Sequence, residues 1–148
     1  MGSQEQLLQH TLHYEIPLTQ AMGIEVLEVS EESVTLRAPL ENNINHKSTA
    51  FGGNLYSVAV LAGWGLIFSR LQALNLQAHI VIQESSIQYL RPIKQDLRAS
   101  CRITSETAFK RSIEMFRRKG KSRIKLDVTV AGQEGVAVLF NGHYVIHS

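Results

Sequence analysis

The stretch that decides the fold is "NINHKSTAFGGNLYSVAVLAGWGLIFSR", residues 43–70. It begins with polar residues, passes a double glycine, and then runs from Leu55 to Phe68 without one charged side chain. That run is shorter than the roughly 20 residues that a helix needs to span a bilayer. A helix that is apolar on all sides in a globular protein lies in the core. The stretch therefore predicts a central helix over about residues 53–75 with a sheet wrapped around it.

Small residues in this predicted helix support a buried position. Ala59, Ala62, Gly63 and Gly65 are small enough to let strands lie close to the helix axis. Glycines lower helix propensity, a cost that tight packing can offset.

Strand patterns surround the predicted core helix. The first fifteen residues predict a short amphipathic helix over about 4–15, with Leu7, Leu8 and Leu12 on one side. Alternating residues predict two strands before the core helix and about four after it: "IEVLEV", "SVTLRA", "AHIVIQESSIQYL", "LRASCRI", "SRIKLDVTVA" and "GVAVLFNGHYVI". The segment "SETAFKRSIEMFRRKG" fits either a helix between Ser105 and Gly120 or a basic strand. This order predicts an α+β fold with an antiparallel sheet.

Composition places the chain among single-domain globular proteins. It has 148 residues, of which 44% are hydrophobic and 19% charged. The single Cys101 cannot form an internal disulfide, which fits a reducing compartment. The polar N-terminus lacks the apolar region of a signal peptide, so we expect a cytoplasmic protein.

A sheet wrapped around one long helix is the hot-dog fold, and the sequence resembles the hot-dog thioesterases. It is most similar to the putative thioesterase domain that is often joined to a GNAT-type acetyltransferase. The family pattern has an Asn, a Gly three residues on, and His-Gly-Gly three further, leading into the central helix. Asn45, Gly52 and Gly53 match this pattern, whereas Ser48 and Phe51 replace its Gly and His. "IQYLRPIKQDLRASCRI" resembles the strand-Arg-Pro-turn-strand that follows the helix in these folds.

The resemblance implies one hot-dog domain over residues 1–148 that hydrolyses an acyl-CoA or acyl-carrier-protein thioester. It also implies a homodimer, with a tetramer as an open alternative, whose sheets join edge to edge and whose clefts lie between subunits. No separate cofactor is expected, because CoA or phosphopantetheine is part of the substrate. Many hot-dog thioesterases carry an Asp or Glu two turns into the helix, where this chain has Val60. A binding module, or related chemistry such as dehydration or decarboxylation, is therefore the alternative.

The double glycine is the candidate seat of the thioester carbonyl. Backbone N–H groups in the first turn of a helix are unpaired and lie at its positive dipole end. Gly52 and Gly53 would let a carbonyl oxygen approach these donors, as in an oxyanion hole. The resemblance assigns this role to Gly53. The alternative is that the glycines only permit a tight turn against the sheet.

Three residues are candidates to activate or orient water. His46 lies just before the glycines and can act as a general base near neutral pH, or it is a solvated loop histidine. Glu84 lies in a strand, where an inward polar row would line a substrate slot; otherwise it faces solvent. Asn45 could orient water or cap its loop through an Asx-turn.

Other residues are candidates for substrate binding. Asn54 and Ser57 share a helix face near the glycines, although a Ser at this spacing more often bonds to a carbonyl one turn earlier. Cys101 is predicted to be a buried structural thiol. The six histidines form no ligand signature, so no metal site is expected. The complete set of predicted substrate-binding residues is Phe51, Gly52, Asn54, Ser57, Arg91, Arg117, Arg118 and Lys119.

Residues 108–125 contain eight basic residues and only one acidic residue, Glu114. Phosphates of CoA or the acidic surface of an acyl carrier protein would suit such a block. Nucleic acid is a weaker interpretation because no recognised binding motif accompanies the charge, and no membrane partner is expected. A solvated face is the remaining alternative.

Overall fold

The apolar run forms the buried helix α3, which extends from Gly52 to Ala73. The computed structural model describes residues 2–148. Helix α3 begins one residue before its predicted start at 53 and ends two residues before its predicted end at 75. Its length and composition alone would also suit a membrane span. Most of its apolar side chains are buried inside this chain, however, so it is the core helix.

The described residues contain three further α-helices, one short 3-10 helix (Leu40–Asn42) and six strands around α3. The helices are α1 (Ser3–Glu15), α2 (Leu18–Ala21) and α4 (Glu106–Lys119). The strands are β1 (Glu25–Val29), β2 (Ser33–Ala38), β3 (His79–Tyr89), β4 (Leu97–Arg102), β5 (Lys121–Gly132) and β6 (Gly135–His147).

All six strands form one sheet in the order β1-β2-β4-β5-β6-β3, and every neighbouring pair is antiparallel. The α+β prediction is therefore confirmed. Strands β1 and β3 lie at the two edges. Helix α1 covers the β1 edge, where the Val26 N–H donates to Gln9 Oε1 at 2.9 Å. Leu8 and Leu12 of α1 are fully buried, but Leu7 is 42% exposed, so its predicted place on the buried side was wrong.

Gly63 lets the sheet approach α3, as predicted, because a Cβ there would lie 2.2 Å from the hydroxyl oxygen of Tyr144 in β6. Gly65 mainly makes room for helix α1, since a Cβ there would lie 3.1 Å from Leu8 of α1 and 3.5 Å from Val34 of β2. The Tyr144 hydroxyl donates to the Val60 carbonyl at 2.7 Å. Burial raises the pKa of Tyr144 above its ordinary value, so this hydroxyl remains a donor.

The segment that fitted a helix or a basic strand is helix α4. The Ser105 hydroxyl accepts a hydrogen bond from the Ala108 N–H at 3.1 Å, and Gly120 ends the helix with φ of +73°. Phe109, Ile113 and Phe116 form its buried stripe. The basic residues of α4 lie on the opposite, exposed face.

Candidate functional site

The double glycine lies at the exposed N-terminal end of α3. Phe51 is the N-cap residue, and its carbonyl accepts from the N–H groups of Asn54 and Leu55, both at 3.0 Å. Within residues 2–148, no acceptor lies within hydrogen-bond distance of the Gly52 or Gly53 N–H. Two backbone donors are therefore available at the positive end of a 22-residue helix.

Two half-exposed aromatic rings flank these glycines. A Cβ on Gly53 would lie 2.7 Å from the ring of Phe51, which is 53% exposed. Beside Gly52, Tyr89 is 52% exposed, and its hydroxyl donates to the Gly52 carbonyl at 2.9 Å. Tyr89 is a site residue that the sequence interpretation missed.

Asn45 holds the loop before the helix. Its Oδ1 accepts from the N–H groups of Lys47 at 2.8 Å and Thr49 at 3.0 Å, and its Nδ2 donates to Thr49 Oγ1 at 2.8 Å. These bonds correspond to the Asx-turn alternative. Ser48 has φ of 64°, a left-handed conformation that explains why the family pattern has Gly there. His46 lies at the exposed tip of this loop.

Asn54 and Ser57 are engaged within the first turns of α3. Asn54 Nδ2 donates to Asn43 Oδ1 at 2.8 Å, and the Ser57 hydroxyl donates to the Gly53 carbonyl at 3.0 Å. Asn43 is 1% exposed and donates to the Met22 carbonyl at 2.9 Å. The back-bonding expected of Ser57 is observed, and Asn43 is a second residue that the sequence interpretation missed.

Glu84 lies on the opposite face of the sheet from α3. The hydroxyls of Ser85 and Tyr56 lie 2.6 Å apart, so Ser85 faces the helix and its neighbour Glu84 faces away. The Glu84 side chain is 71% exposed, with its carboxylate 3.8 Å from the Arg123 guanidinium. Of the two positions considered for Glu84, the structure has the solvent-facing one, because a register shift between Ile82 and Glu84 reverses the alternation of the strand.

The basic candidates occupy two different places. Arg91 follows the end of β3, in a loop joined to the helix entry by the Ala50 N–H, which donates to the Ile93 carbonyl at 2.8 Å. The other three lie in the last turn of α4, beside the start of β5, at the opposite end of the sheet from Tyr89: Arg117, Arg118 and Lys119. One chain therefore holds the loop of Arg91 against the helix entry, whereas the three α4 residues lie at the far end of the sheet.

The remaining candidates are structural in this chain. Cys101 is fully buried, and burial, together with the charge of Asp127, raises its pKa to about 12, so the thiol stays protonated. Val60 is half-buried, one turn beyond Tyr56. Across residues 2–148, no group of three or more His, Cys, Asp or Glu side chains is placed to hold a metal ion.

Comparison with known proteins identifies the family. Residues 5–148 match the sequence model of the family described as "Putative thioesterase (yiiD_Cterm)". A protein of unknown function from Chlorobaculum tepidum has 33% identity and a TM-score of 0.91, covering 97% of this chain and 94% of that chain. A putative thioesterase from Shewanella oneidensis has 28% identity and a TM-score of 0.85, covering 100% of both chains.

A third solved structure supports the fold alone. It is a probable thioesterase from Pseudomonas aeruginosa, with 22% identity, a TM-score of 0.81, and coverage of 97% of this chain and 95% of that chain. The predicted resemblance is confirmed by these matches. The chain has the hot-dog fold and belongs to the putative thioesterase family yiiD_Cterm.

Proposed function

We propose that the protein hydrolyses an acyl thioester of CoA or of acyl carrier protein, releasing a carboxylic acid and a thiol. The observation that carries this proposal is the pair of unpaired N–H groups of Gly52 and Gly53 at the open end of α3. Neither residue has a side chain to block a carbonyl oxygen that approaches these donors, and the rings of Phe51 and Tyr89 lie beside them.

In this mechanism the thioester carbonyl oxygen accepts a hydrogen bond from the Gly53 N–H. Attack by water on the carbonyl carbon places negative charge on that oxygen, which the amide and the helix dipole stabilise. Collapse of the intermediate breaks the C–S bond, and the leaving thiolate takes up the proton that the base accepted from the attacking water. His46 is the base in this proposal, because an imidazole accepts protons near neutral pH. Glu84 is not assigned a step, because its carboxylate faces away from α3.

A second copy of the chain supplies the other wall of the cleft. Strand β3 is an edge strand of 11 residues, and the adjoining face of α3 carries the partly buried Val60, Trp64 and Phe68. A long edge strand is a ready template for pairing with another strand. Two-fold pairing of β3 with β3 covers this edge and the apolar stripe in one isologous interface.

The same pairing would bring the basic C-terminal end of α4 close to the glycines of the other subunit. In an antiparallel pair, the start of the second copy's β3 lies beside Tyr89 of the first. Its β5 is then three strand spacings away, about 14 Å. Arg117, Arg118 and Lys119 of the partner subunit would therefore lie near the glycines, where phosphates of CoA or an acidic carrier protein could contact them.

A binding module is the second candidate function, and one observation favours it. Val60 stands where many hot-dog thioesterases carry a carboxylate, and residues 42–83 contain no Asp or Glu. Such a module would hold the thioester at the glycines and release it unchanged.

Release of free thiol from acyl-CoA and acyl-carrier-protein thioesters tests the proposal. We expect turnover with kcat in the ordinary enzyme range of about 1–10³ s⁻¹. We expect His46→Ala to lower kcat by about 10²-fold, a common contribution of a general base. Glu84→Ala, a carboxylate on the outer face, is the comparison variant and should leave kcat unchanged. Saturable binding without turnover would instead support the binding module.

A further inference from the structure

Aromatic side chains tie α3 to the sheet at every fourth residue of the helix. Each tie joins a phenol hydroxyl or the indole N–H to a carbonyl or hydroxyl oxygen on the facing element. The four ties are Tyr89 to the Gly52 carbonyl at 2.9 Å, Tyr56 to the Ser85 hydroxyl at 2.6 Å, Tyr144 to the Val60 carbonyl at 2.7 Å, and Trp64 to the Ile80 carbonyl at 3.2 Å.

The second tie, Tyr56 to Ser85, is supported by packing of the Tyr56 ring against Phe140. The Tyr56 ring meets Phe140 edge-on, with 5.6 Å between ring centroids and 77° between planes. Phe140 is 3% exposed. Gly142 is the strand partner of Ser85, and a Cβ there would lie 2.8 Å from the Phe140 ring. The missing side chain at Gly142 therefore leaves room for Phe140, which in turn supports Tyr56.

The Tyr56 tie joins α3 to β3 one helical turn beyond the glycines. Between this tie and the Tyr89 tie, the inward side chain of β3 is Ile87, which is partly buried against the core. One turn of an α-helix is about 5.4 Å long. An acyl chain that starts at the Gly53 N–H and runs along α3 therefore meets the Tyr56 ring after a few carbon atoms.

We propose that Tyr56, braced by Ser85 and Phe140, is the specificity-determining residue that restricts the acyl group to short chains such as acetyl or butyryl. The inference rests on the proposed function only for the position of the thioester carbonyl at Gly53. Tyr56 acts by occupying the space that an octanoyl or palmitoyl chain would need.

Chain-length preference in a series of variants tests this role. The wild-type protein should hydrolyse butyryl-CoA with a higher kcat/KM than octanoyl-CoA. Tyr56→Ala should raise the octanoyl-to-butyryl ratio of kcat/KM by at least about tenfold, since even one methylene in an apolar pocket changes kcat/KM by about 10–200-fold. Tyr56→Leu is a second variant that keeps an apolar side chain at this position. Its octanoyl-to-butyryl ratio should lie between those of the wild-type protein and Tyr56→Ala.

A matched pair of substitutions controls for loss of a helix tie. Tyr56→Phe and Tyr144→Phe each remove one hydroxyl tie, on successive turns of α3. Tyr56→Phe should raise the octanoyl-to-butyryl ratio slightly because the ring loses its anchor at Ser85. Tyr144→Phe should leave the ratio at the wild-type value. Equal changes in both variants would mean that general loosening of α3 sets chain length, and the assignment of Tyr56 would be wrong.

Binding of uncleavable thioethers separates this inference from the proposed hydrolysis. Calorimetry with S-butyl-CoA and S-octyl-CoA should show tighter binding of the butyl compound to the wild-type protein and a reversed order for Tyr56→Ala. That result without turnover of any thioester would overturn the hydrolase and leave the role of Tyr56 standing. The role of Tyr56 would be overturned if the wild-type protein bound S-butyl-CoA and S-octyl-CoA equally. It would also be overturned if folded Tyr56→Ala and Tyr56→Leu proteins kept the wild-type order of the two affinities.

Discussion

Helix α3 contains glycines in two places, and the two places differ in what fills the space of the missing side chain. At Gly63 this space is filled by the buried phenol of Tyr144, whose hydroxyl bonds to the same helix at Val60. At Gly53 only the half-exposed Phe51 ring lies there. The first glycine lets a side chain pack against the helix, whereas the second leaves a backbone donor accessible. One residue type thus serves core packing in the middle of the helix and ligand access at its end.

Gly63→Ala should have the largest effect on stability. The new Cβ would lie 2.2 Å from the Tyr144 hydroxyl oxygen and 2.5 Å from Cζ, and the Tyr144 ring is fully buried. Overpacking of a core typically costs about 1–3 kcal/mol, and contacts this short place Gly63→Ala at the upper end of that range. Urea unfolding should show a lower midpoint at an unchanged m-value. A midpoint equal to the wild type would mean that the two places do not differ as described.

Gly53→Ala should have the opposite profile, with a large effect on activity and a small one on stability. The new methyl group would displace the exposed Phe51 ring and crowd the amide, so we expect thioester hydrolysis to fall about 10²-fold, as for loss of one oxyanion donor. Alanine is favoured over glycine in a helix by about 1 kcal/mol, so the free energy of unfolding should not fall.

Gly52→Ala is the matched control for that variant. A Cβ at this position would be 3.7 Å from the nearest Tyr89 ring atoms, which is ordinary contact. Its activity loss in the same thiol-release assay should therefore be smaller than that of Gly53→Ala. Full activity in Gly53→Ala would show that the open end of α3 is not the seat of the thioester.

Tyr144→Phe should have a moderate effect on stability. It removes the bond to the Val60 carbonyl and nothing else, so we expect a loss of about 1 kcal/mol in urea unfolding. In the double variant with Gly63→Ala, the nearest clashing atom is absent, so the two losses should not add. Strict additivity would mean that the Tyr144 hydroxyl does not set the space at Gly63.

Gly65→Ala should have the smallest effect. Its Cβ would meet the end of the Leu8 side chain at 3.1 Å, and a terminal methyl can move by a few tenths of an ångström. The gain in helix propensity, about 1 kcal/mol, offsets that adjustment. We expect a net change in the free energy of unfolding within about 1 kcal/mol of zero, measured by urea unfolding. A loss as large as that of Gly63→Ala would extend the tightly packed region to the α1 side of the helix.

Local sequence patterns were sufficient for most of the fold. The charge-free run predicted α3, because an apolar run shorter than a membrane span suits a helix buried in the core. The Ser105 cap and Gly120 stop were visible for α4, but the choice between helix and strand was open, because its apolar stripe is narrow. The Asn45 loop was likewise readable, since its capping bonds join residues close in sequence.

The candidate site was only partly predictable. The double glycine at the helix entry was found directly from its motif. Tyr89 was missed, and the face occupied by Glu84 was left open, because the register shift in β3 reverses which residues face α3. Asn43 was missed because its partner Met22 lies in a distant segment of the chain.

The sequence by itself determined the core helix, the strands, the helix caps and the unpaired amides at the helix entry, because each depends on residues within a few positions of one another. Only the tertiary structure decided which aromatic side chains reach α3, which space Tyr144 fills and which face of the sheet Glu84 occupies. Those outcomes depend on the pairing of β3 with β6, whose partners are more than 45 residues apart in the chain. A shift of one residue in such pairing turns an inward side chain outward.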